Sequence, residues 1–290
     1  MPNHDVRAAV FPVAGRGTRF LPVTKTVPKE VLPIVDRPCI EYVVAEAVAA
    51  GIEHLVFVTA KGKDALVDYF MPDADLEAFL TLHGKDDLLD QVRRVVSMAD
   101  VIAVRQDEAL GLGHAVLQAK DAIGNQDFAV LLGDDIIDSE RPAIAQLMED
   151  RPSGHAVVAL MEVPSAHTSR YGICAGSMAT PTRMAVHSMV EKPKPEDAPS
   201  NFAIVGRYIL PAEMWHRLAE TRPGRGGEIQ LTDAIASLAA EGRVDGVAFS
   251  GQRFDTGNVV GLLRASVHFA LKRPDLEAPV RAMLAEMSNR

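Results

Sequence analysis

The sequence predicts an α/β fold, a Rossmann-like mixed sheet flanked by helices, on three observations. Residues 7–13 form an apolar run without clean alternation, as a parallel strand covered on both faces requires. A helical pattern over residues 40–50 and a second apolar run over 54–60 follow at the spacing of a strand–helix–strand unit. Further apolar runs, at 101–105, 128–132, 155–162 and 203–209, recur between helix-like segments.

Each element has a local reason. Residues 14–20 make a turn, and 21–33, rich in Pro, Thr and Lys, an ordered loop. Ile40, Val43, Val44, Ala47 and Val48 share one helix face, and Gly51 supplies the stop. Short helices are expected over 63–70 and 73–80. A polar helix over 86–98 has Leu88, Leu89, Val92 and Val95 as its apolar face. After the strand at 101–105, Gly111-Leu112-Gly113-His114-Ala115 opens a helix to residue 122, and the strand at 128–132 ends at Gly133-Asp134-Asp135. A surface helix over 139–150 precedes the strand at 155–162. Residues 163–190 hold short strand candidates and turns, and 196–200 a polar loop. The strand at 203–209 leads to helices over 211–219, opening on Pro211, and 228–240. A short strand at 247–249, a helix over 259–271 and a last helix within 274–287 complete the chain. No linker or internal repeat divides it, so one domain over 1–290 is expected.

The 290 residues are 48% hydrophobic, enough for one large core. A net charge of -9, spread along the chain, argues against a nucleic-acid surface that relies on broad positive potential. It leaves room for a local cationic pocket. The aromatics are few and scattered, poor material for a stacking platform. Cys39 and Cys174 make neither a metal motif nor a disulfide framework, so a reducing, cytoplasmic setting is expected. Residues 1–7 are polar and no apolar run is long enough to span a bilayer. No targeting segment and no membrane association are expected.

Chemistry-bearing residues begin at the first turn. Gly15 and Gly17 follow a strand, with Arg16, Arg19, Lys25 and Lys29 nearby. The glycines alone fit an ordinary βα turn as well as an anion turn; the four cations shift the balance toward phosphate. Phe20 stands where a dinucleotide fingerprint needs its third glycine, and no P-loop is present. Gln106, Gly111, Gly113 and His114 offer a close backbone approach and an amide suited to a nucleobase edge, although taken alone they read better as a tight turn. Asp134 ends an apolar run and Asp255 follows another, where parallel sheets place their sites. Two such carboxylates suit one Mg²⁺ with phosphate and water completing its shell; helix capping is the alternative. Glu191-Lys192 suits a ligand with hydroxyls at one end and phosphate at the other, or else a solvated loop. Pro193 is expected to keep Lys192 extended.

These residues together resemble the nucleotide sugar pyrophosphorylases over nearly the whole chain. The resemblance rests on Ala14–Arg19 with Pro28-Lys29-Glu30 and Leu32-Pro33, then Asp36-Arg37-Pro38, Arg105-Gln106, Gly111-Leu112-Gly113-His114-Ala115-Val116 and Glu191-Lys192-Pro193. Pro199-Ser200-Asn201, residues 203–208, Glu228-Ile229-Gln230-Leu231-Thr232-Asp233-Ala234 and Phe254-Asp255-Thr256-Gly257-Asn258 extend it. It implies a nucleotide-diphospho-sugar transferase fold, with a nucleotide-binding part over about 1–135 and a sugar-binding and helical part over about 136–290. It further implies UTP and glucose 1-phosphate as substrates, Mg²⁺ as cofactor and assembly as a homodimer or homotetramer.

Carried over by position, the resemblance implies that Ala14, Gly15 and Glu30 contact uridine and that Gln106 and Gly111 recognise the base. Arg19 and Lys29 would bind the triphosphate, and Asp134 and Asp255 the Mg²⁺. Gly172, Glu191 and Gly206 would border the glucose and Lys192 its phosphate. Three positions depart from the usual pattern: Gly133 where proline is frequent, Asp135 as a second acid, and Thr256 where cysteine is often found. Asp135 leaves open which acid of the pair faces the metal. The same chemistry with dTTP is the nearest alternative. An NAD-linked oxidoreductase conflicts with Phe20 and Thr59-Ala60, and a noncatalytic sensor with the retained Arg19, Lys29, Asp134, Lys192 and Asp255.

Overall fold

The computed structural model describes residues 6–288; the expectations that touch residues 1–5 and 289–290 lie outside the described residues. Thirteen strands are described: β1 (Ala8–Pro12), β2 (Pro33–Ile34), β3 (Arg37–Pro38), β4 (His54–Thr59), β5 (Val101–Arg105), β6 (Phe128–Leu131), β7 (Asp135–Asp138), β8 (Ala156–Glu162), β9 (Gly172–Met178), β10 (Arg183–Glu191), β11 (Phe202–Leu210), β12 (Val244–Ala248) and β13 (Gln252–Asp255). The helices are α1 (Cys39–Ala49), α2 (Ala65–Asp68), α3 (Ala74–Leu82), α4 (Asp86–Met98), α5 (Leu112–Gln118), α6 (Lys120–Ile123), α7 (Ala143–Met148), α8 (Met214–Glu220), α9 (Leu231–Ala239), α10 (Val259–Leu271) and α11 (Glu277–Ser288).

Nine strands form one mixed sheet in the order β5-β4-β1-β6-β11-β8-β12-β10-β9, and β9 also pairs with β11. The strands β5, β4, β1 and β6 run parallel, and β11 enters antiparallel beside β6. The two-residue period of a strand explains the continuous apolar runs. Along β1, Ala8 and Val10 pack on one face with Val56, Val58, Phe128 and Val130, while Ala9 and Phe11 pack on the other with Ile40, Val44, Leu55 and Phe57. Helices α1 and α7 cover one face; α5, α8 and α9 cover the other.

Several expected boundaries move, for identifiable reasons. The helix expected over 139–150 spans only Ala143–Met148, with Pro142 immediately before it, and ahead of it residues 135–138 form β7, which pairs antiparallel with β13. The helix expected from 228 begins at Leu231: Ile229 is held extended, donating its N–H to Leu110 O at 2.7 Å and accepting from Gly113 N at 2.8 Å. The short strand candidates before 190 are the long antiparallel pair β9 and β10. Lys192 is not extended as Pro193 predicts; its φ is +45°. Its N–H donates to Tyr171 O at 2.9 Å, one step past the Glu191–Gly172 pairing, and that tie outweighs the local preference.

Candidate active site

The carboxyl ends of the central strands open into a cavity of about 770 Å³. Arg19, Asp134, Asp255, Gly172, Glu191, Lys192 and Gly206 all line it, although they come from six separate places in the sequence. Ala14, Gly15, Lys29, Glu30, Gln106 and Gly111 do not line it; Lys29 connects their side to it through Asp134.

The two adjacent acids do different things. Asp135 is 4% exposed and faces inward. Arg253 grips it side-on, Nε to Oδ1 at 2.7 Å and Nη2 to Oδ2 at 2.8 Å, and the Gly206 N–H donates to Oδ2 at 3.1 Å. Burial raises the Asp135 carboxyl despite that guanidinium. Asp134 faces the cavity and accepts a 2.5 Å hydrogen bond from Lys29 Nζ on Oδ2. Loss of solvent works to raise Asp134, but the Lys29 charge and hydrogen bond, with Arg19 behind them, prevail and hold it below its ordinary value. Lys29 is the mirror case. Burial works to lower its ammonium, and Asp134 and Glu30 raise it above the usual lysine value.

Asp255 meets Asp134 beside Gly257. A carbon built on that glycine would collide with Asp134 Oδ2 and sit 3.1 Å from Asp255 Oδ1, so both carboxylates face the same small volume. Capping is done by another residue: Asn258 Oδ1 accepts from Gly261 N at 2.9 Å at the start of α10. Among the described residues no group of three His, Cys, Asp or Glu side chains is gathered for a metal. A carboxylate pair without nitrogen or sulfur suits a hard cation that keeps most of its shell for phosphate and water. Of the paired acids, Asp134 is the one available to such an ion.

Across the cavity, Glu191 and Lys192 end β10. Thr232 Oγ1 donates to Glu191 Oε2 at 2.6 Å and Lys192 Nζ to Oε1 at 2.9 Å. Gly172 stands opposite Glu191, and its missing side chain leaves room for that carboxylate and the Thr232 hydroxyl.

The first turn forms the other wall. Gly15 has open space where a side chain would point, and Gly17 takes the left-handed conformation with φ +63°. Glu30 is 1% exposed and paired with buried Lys63, whose Nζ lies 2.9 Å from Oε2 and also donates to Val13 O. Burial raises Glu30 and lowers Lys63, the direction expected of a buried pair that opposes its own ionisation. Gln106 Nε2 lies 3.2 Å from Gly111 O and 3.0 Å from His114 Nδ1. Gly111, at φ +106°, allows the Glu228-Ile229 backbone to approach; a carbon there would lie 2.7 Å from Ile229 O. Arg16 and Lys25 are exposed and away from the cavity lining.

Sequence reasoning missed Lys63, Tyr171, Thr232 and Arg253. Two of them carried a usable signal. Lys63 lies just past the carboxyl end of β4, and Arg253 is two residues before Asp255.

Residues 9–271 match the family described as nucleotidyl transferase. The chain belongs to the nucleotidyl transferase family. Among curated members, a UTP–glucose-1-phosphate uridylyltransferase from Staphylococcus epidermidis is 45% identical over 97% of this chain and 98% of its own. Among solved members, a UTP-bound enzyme from Acinetobacter baumannii is 41% identical with a TM-score of 0.89, covering 97% of this chain and 99% of that one. A UDP-glucose pyrophosphorylase complexed with UDP-glucose is 40% identical with a TM-score of 0.84, covering 92% and 100%. The family fold is therefore the α/β fold expected from the sequence.

Proposed function

We propose that this nucleotidyl transferase moves the uridylyl group of UTP to α-D-glucose 1-phosphate, giving UDP-glucose and diphosphate. The observation that carries the reading is one cavity with Asp134, Asp255 and Arg19 on one side and Glu191 and Lys192 on the other. Relatives of the stated names support the choice of substrates.

An oxygen of the sugar phosphate attacks the α phosphorus in line. The bond from that phosphorus to the bridging oxygen of the departing diphosphate breaks, and its electron pair leaves with diphosphate. The attacking oxygen is already anionic, so no general base and no covalent enzyme intermediate are needed. The anomeric C–O bond stays intact and the sugar keeps its configuration. The demands are alignment and cancellation of repulsion between two polyanions. Arg19 and Lys29 hold the β and γ phosphates; Lys192 holds the sugar phosphate. Gly172, Glu191 and Gly206 border the glucose, Ala14, Gly15 and Glu30 the uridine, and Gln106 and Gly111 the base. Asp134 and Asp255 would hold Mg²⁺, which when bound supplies charge neutralisation at the phosphates.

The nucleotide part is assigned to about 1–135 and the sugar and helical part to about 136–290 of one domain. A homodimer or homotetramer is supported by exposed Val259, Val260 and Leu263 on α10. A cytoplasmic location is supported by two free, buried cysteines; among the described residues no helix is long and apolar enough to cross a membrane.

The test offers glucose 1-phosphate and Mg²⁺ with UTP, dTTP, CTP, ATP or GTP and follows diphosphate release. UTP is expected to react fastest; release with another nucleotide and none with UTP would overturn the assignment. Asp134→Asn is expected to lower turnover while the protein stays folded, and a wild-type rate would remove Asp134 from its role.

A further inference from the structure

The mechanism leaves one buried ion pair at the cavity wall without a task. Asp135 and Arg253 both line the cavity and form the side-on pair described above, their side chains 5% and 11% exposed. Their neighbours in the chain are the carboxylates of the site: Asp135 follows Asp134, and Arg253 precedes Asp255 by two residues.

The strands that carry these residues are short. β7 and β13 have four residues each and pair only with one another, Asp135 opposite Asp255 and Ile137 opposite Arg253. A two-stranded ribbon of that length is marginal by its ladder alone. The bidentate bridge adds a directional tie between the two strands at the end where Asp134 and Asp255 emerge. It also reaches the sugar-facing wall. Asp135 Oδ2 accepts the Gly206 N–H, and a side chain on Gly206 would meet that carboxylate at 2.7 Å. The Arg253 guanidinium lies 5.5 Å from the centre of the Tyr171 ring, with Nη1 3.4 Å from the hydroxyl, and Tyr171 O accepts the Lys192 N–H.

Stability alone gives a weak reason for such a pair, because apolar replacements of buried ion pairs are often neutral or stabilising. We propose that Asp135 and Arg253 are positioning residues: their bridge sets the mutual placement of the Asp134 and Asp255 carboxylates and locks it to the wall that carries Gly206 and Lys192. The inference rests on the functional reading above. Lysine cannot replace Arg253, since a point charge lacks the fork and the planar face over Tyr171.

The test uses the full-length protein with Arg253→Lys, Asp135→Asn and the double variant. Three readouts are taken: thermal unfolding, the Mg²⁺ dependence of UTP turnover, and Mn²⁺ binding to the protein–UTP mixture by electron paramagnetic resonance. Both single variants are expected to need about 10- to 100-fold more Mg²⁺ for half-maximal turnover, with the same weakening for Mn²⁺. KM for UTP stays near wild type while kcat falls. The double variant loses no more than the worse single variant, because the pair acts as one unit. Unchanged metal dependence in a folded single variant, or additive losses in the double variant, overturns the proposal. Should Asp135→Asn not fold, Arg253→Lys decides, since it keeps the buried charge balance. Failure of the wild type to release diphosphate would sink the functional reading, while the Mn²⁺ titration would still decide the positioning claim.

Discussion

Replacing Glu46 by alanine would strand a guanidinium in the core. Arg207 is 0% exposed, and its Nε and Nη2 donate to the two Glu46 oxygens at 3.0 and 2.7 Å. Nη1 donates to Gly206 O at 2.9 Å, which cannot balance a full charge, and Asp135, whose charge also reaches Arg207, is already engaged by Arg253. Glu46 Oε1 also accepts the Ile144 N–H at 3.0 Å, so the carboxylate joins α1 to the start of α7 as well as to β11. Removing one partner of a buried pair costs about 3–5 kcal/mol, and an orphaned buried N–H adds about 1–3 kcal/mol where water does not replace the acceptor. The two overlap, because water entering the gap would serve both donors, so Glu46→Ala is expected to lose about 4–6 kcal/mol. That is a large fraction of a typical domain's stability of about 5–15 kcal/mol. Urea unfolding followed by circular dichroism measures it. Glu46→Leu combined with Arg207→Met removes both charges and is expected to recover most of the loss. A loss below about 1 kcal/mol from Glu46→Ala would refute the assignment of an uncompensated buried charge.

Lys192→Gly is expected to lower kcat by about 10²- to 10³-fold by removing the cation proposed to hold the sugar phosphate. At the same time it should stabilise the fold by about 1 kcal/mol relative to Lys192→Ala, because glycine accepts φ +45° without strain; equal stability of the two would refute the strain. Lys63→Met removes the largest opposing charge from Glu30, which burial already raises. A raised acid favours folding below its unfolded pKa and loses that advantage as pH rises through its folded pKa, so the variant's urea-stability deficit should grow from acid toward neutral pH; a pH-independent deficit counts against it. Burial pushes the Cys39 and Cys174 thiols up to about 12. Between the ordinary thiol value and that one the folded state holds more protons than the unfolded state, so stability should fall by roughly 1 kcal/mol per pH unit per cysteine. Changing both cysteines to alanine should flatten that alkaline loss, measured by urea unfolding from about pH 8 to 9.5, below the range in which the raised tyrosines Tyr42, Tyr69 and Tyr208 add a loss of their own.

Local patterns exposed the elements that local physics decides. The unbroken apolar runs of β1, β4 and β6 follow from burial on both faces, and Asp134 stands at a strand end because chain direction and sheet order put it there. What stayed hidden depends on pairing between distant segments. β7 and β13 are too short to show a period, and they pair across more than 110 residues of sequence, with Asp135 opposite Asp255 and an Asp135–Arg253 side-chain bridge between them. The same limit hid the division of labour between Asp134 and Asp255 on one side and Asp135 on the other: adjacent acids look alike until one of them finds an arginine. Lys192 shows the converse, a local rule set by Pro193 that a single cross-strand N–H to Tyr171 O overrules.

The charge layout explains how an acidic chain can receive two polyanions. Two of the cations assigned to phosphate already hold carboxylates: Lys29 holds Asp134 at 2.5 Å, and Lys192 holds Glu191 at 2.9 Å. An empty site with unpaired lysines would attract any anion, and an empty site with unpaired acids would attract any cation. Pairing suppresses both. A ligand gains only if it offers phosphate to the lysine and also something for the released carboxylate: a divalent cation for Asp134, or sugar hydroxyls for Glu191. Glucose 1-phosphate and a metal-bound nucleoside triphosphate each satisfy both halves of that exchange, whereas free phosphate satisfies one. Under the proposed function, selectivity for the paired substrates would be built into contacts that exist before either arrives, and Glu30, sitting 3.9 Å from Lys29 and 2.9 Å from Lys63, would keep a carboxylate beside Lys29 when Asp134 takes up the metal.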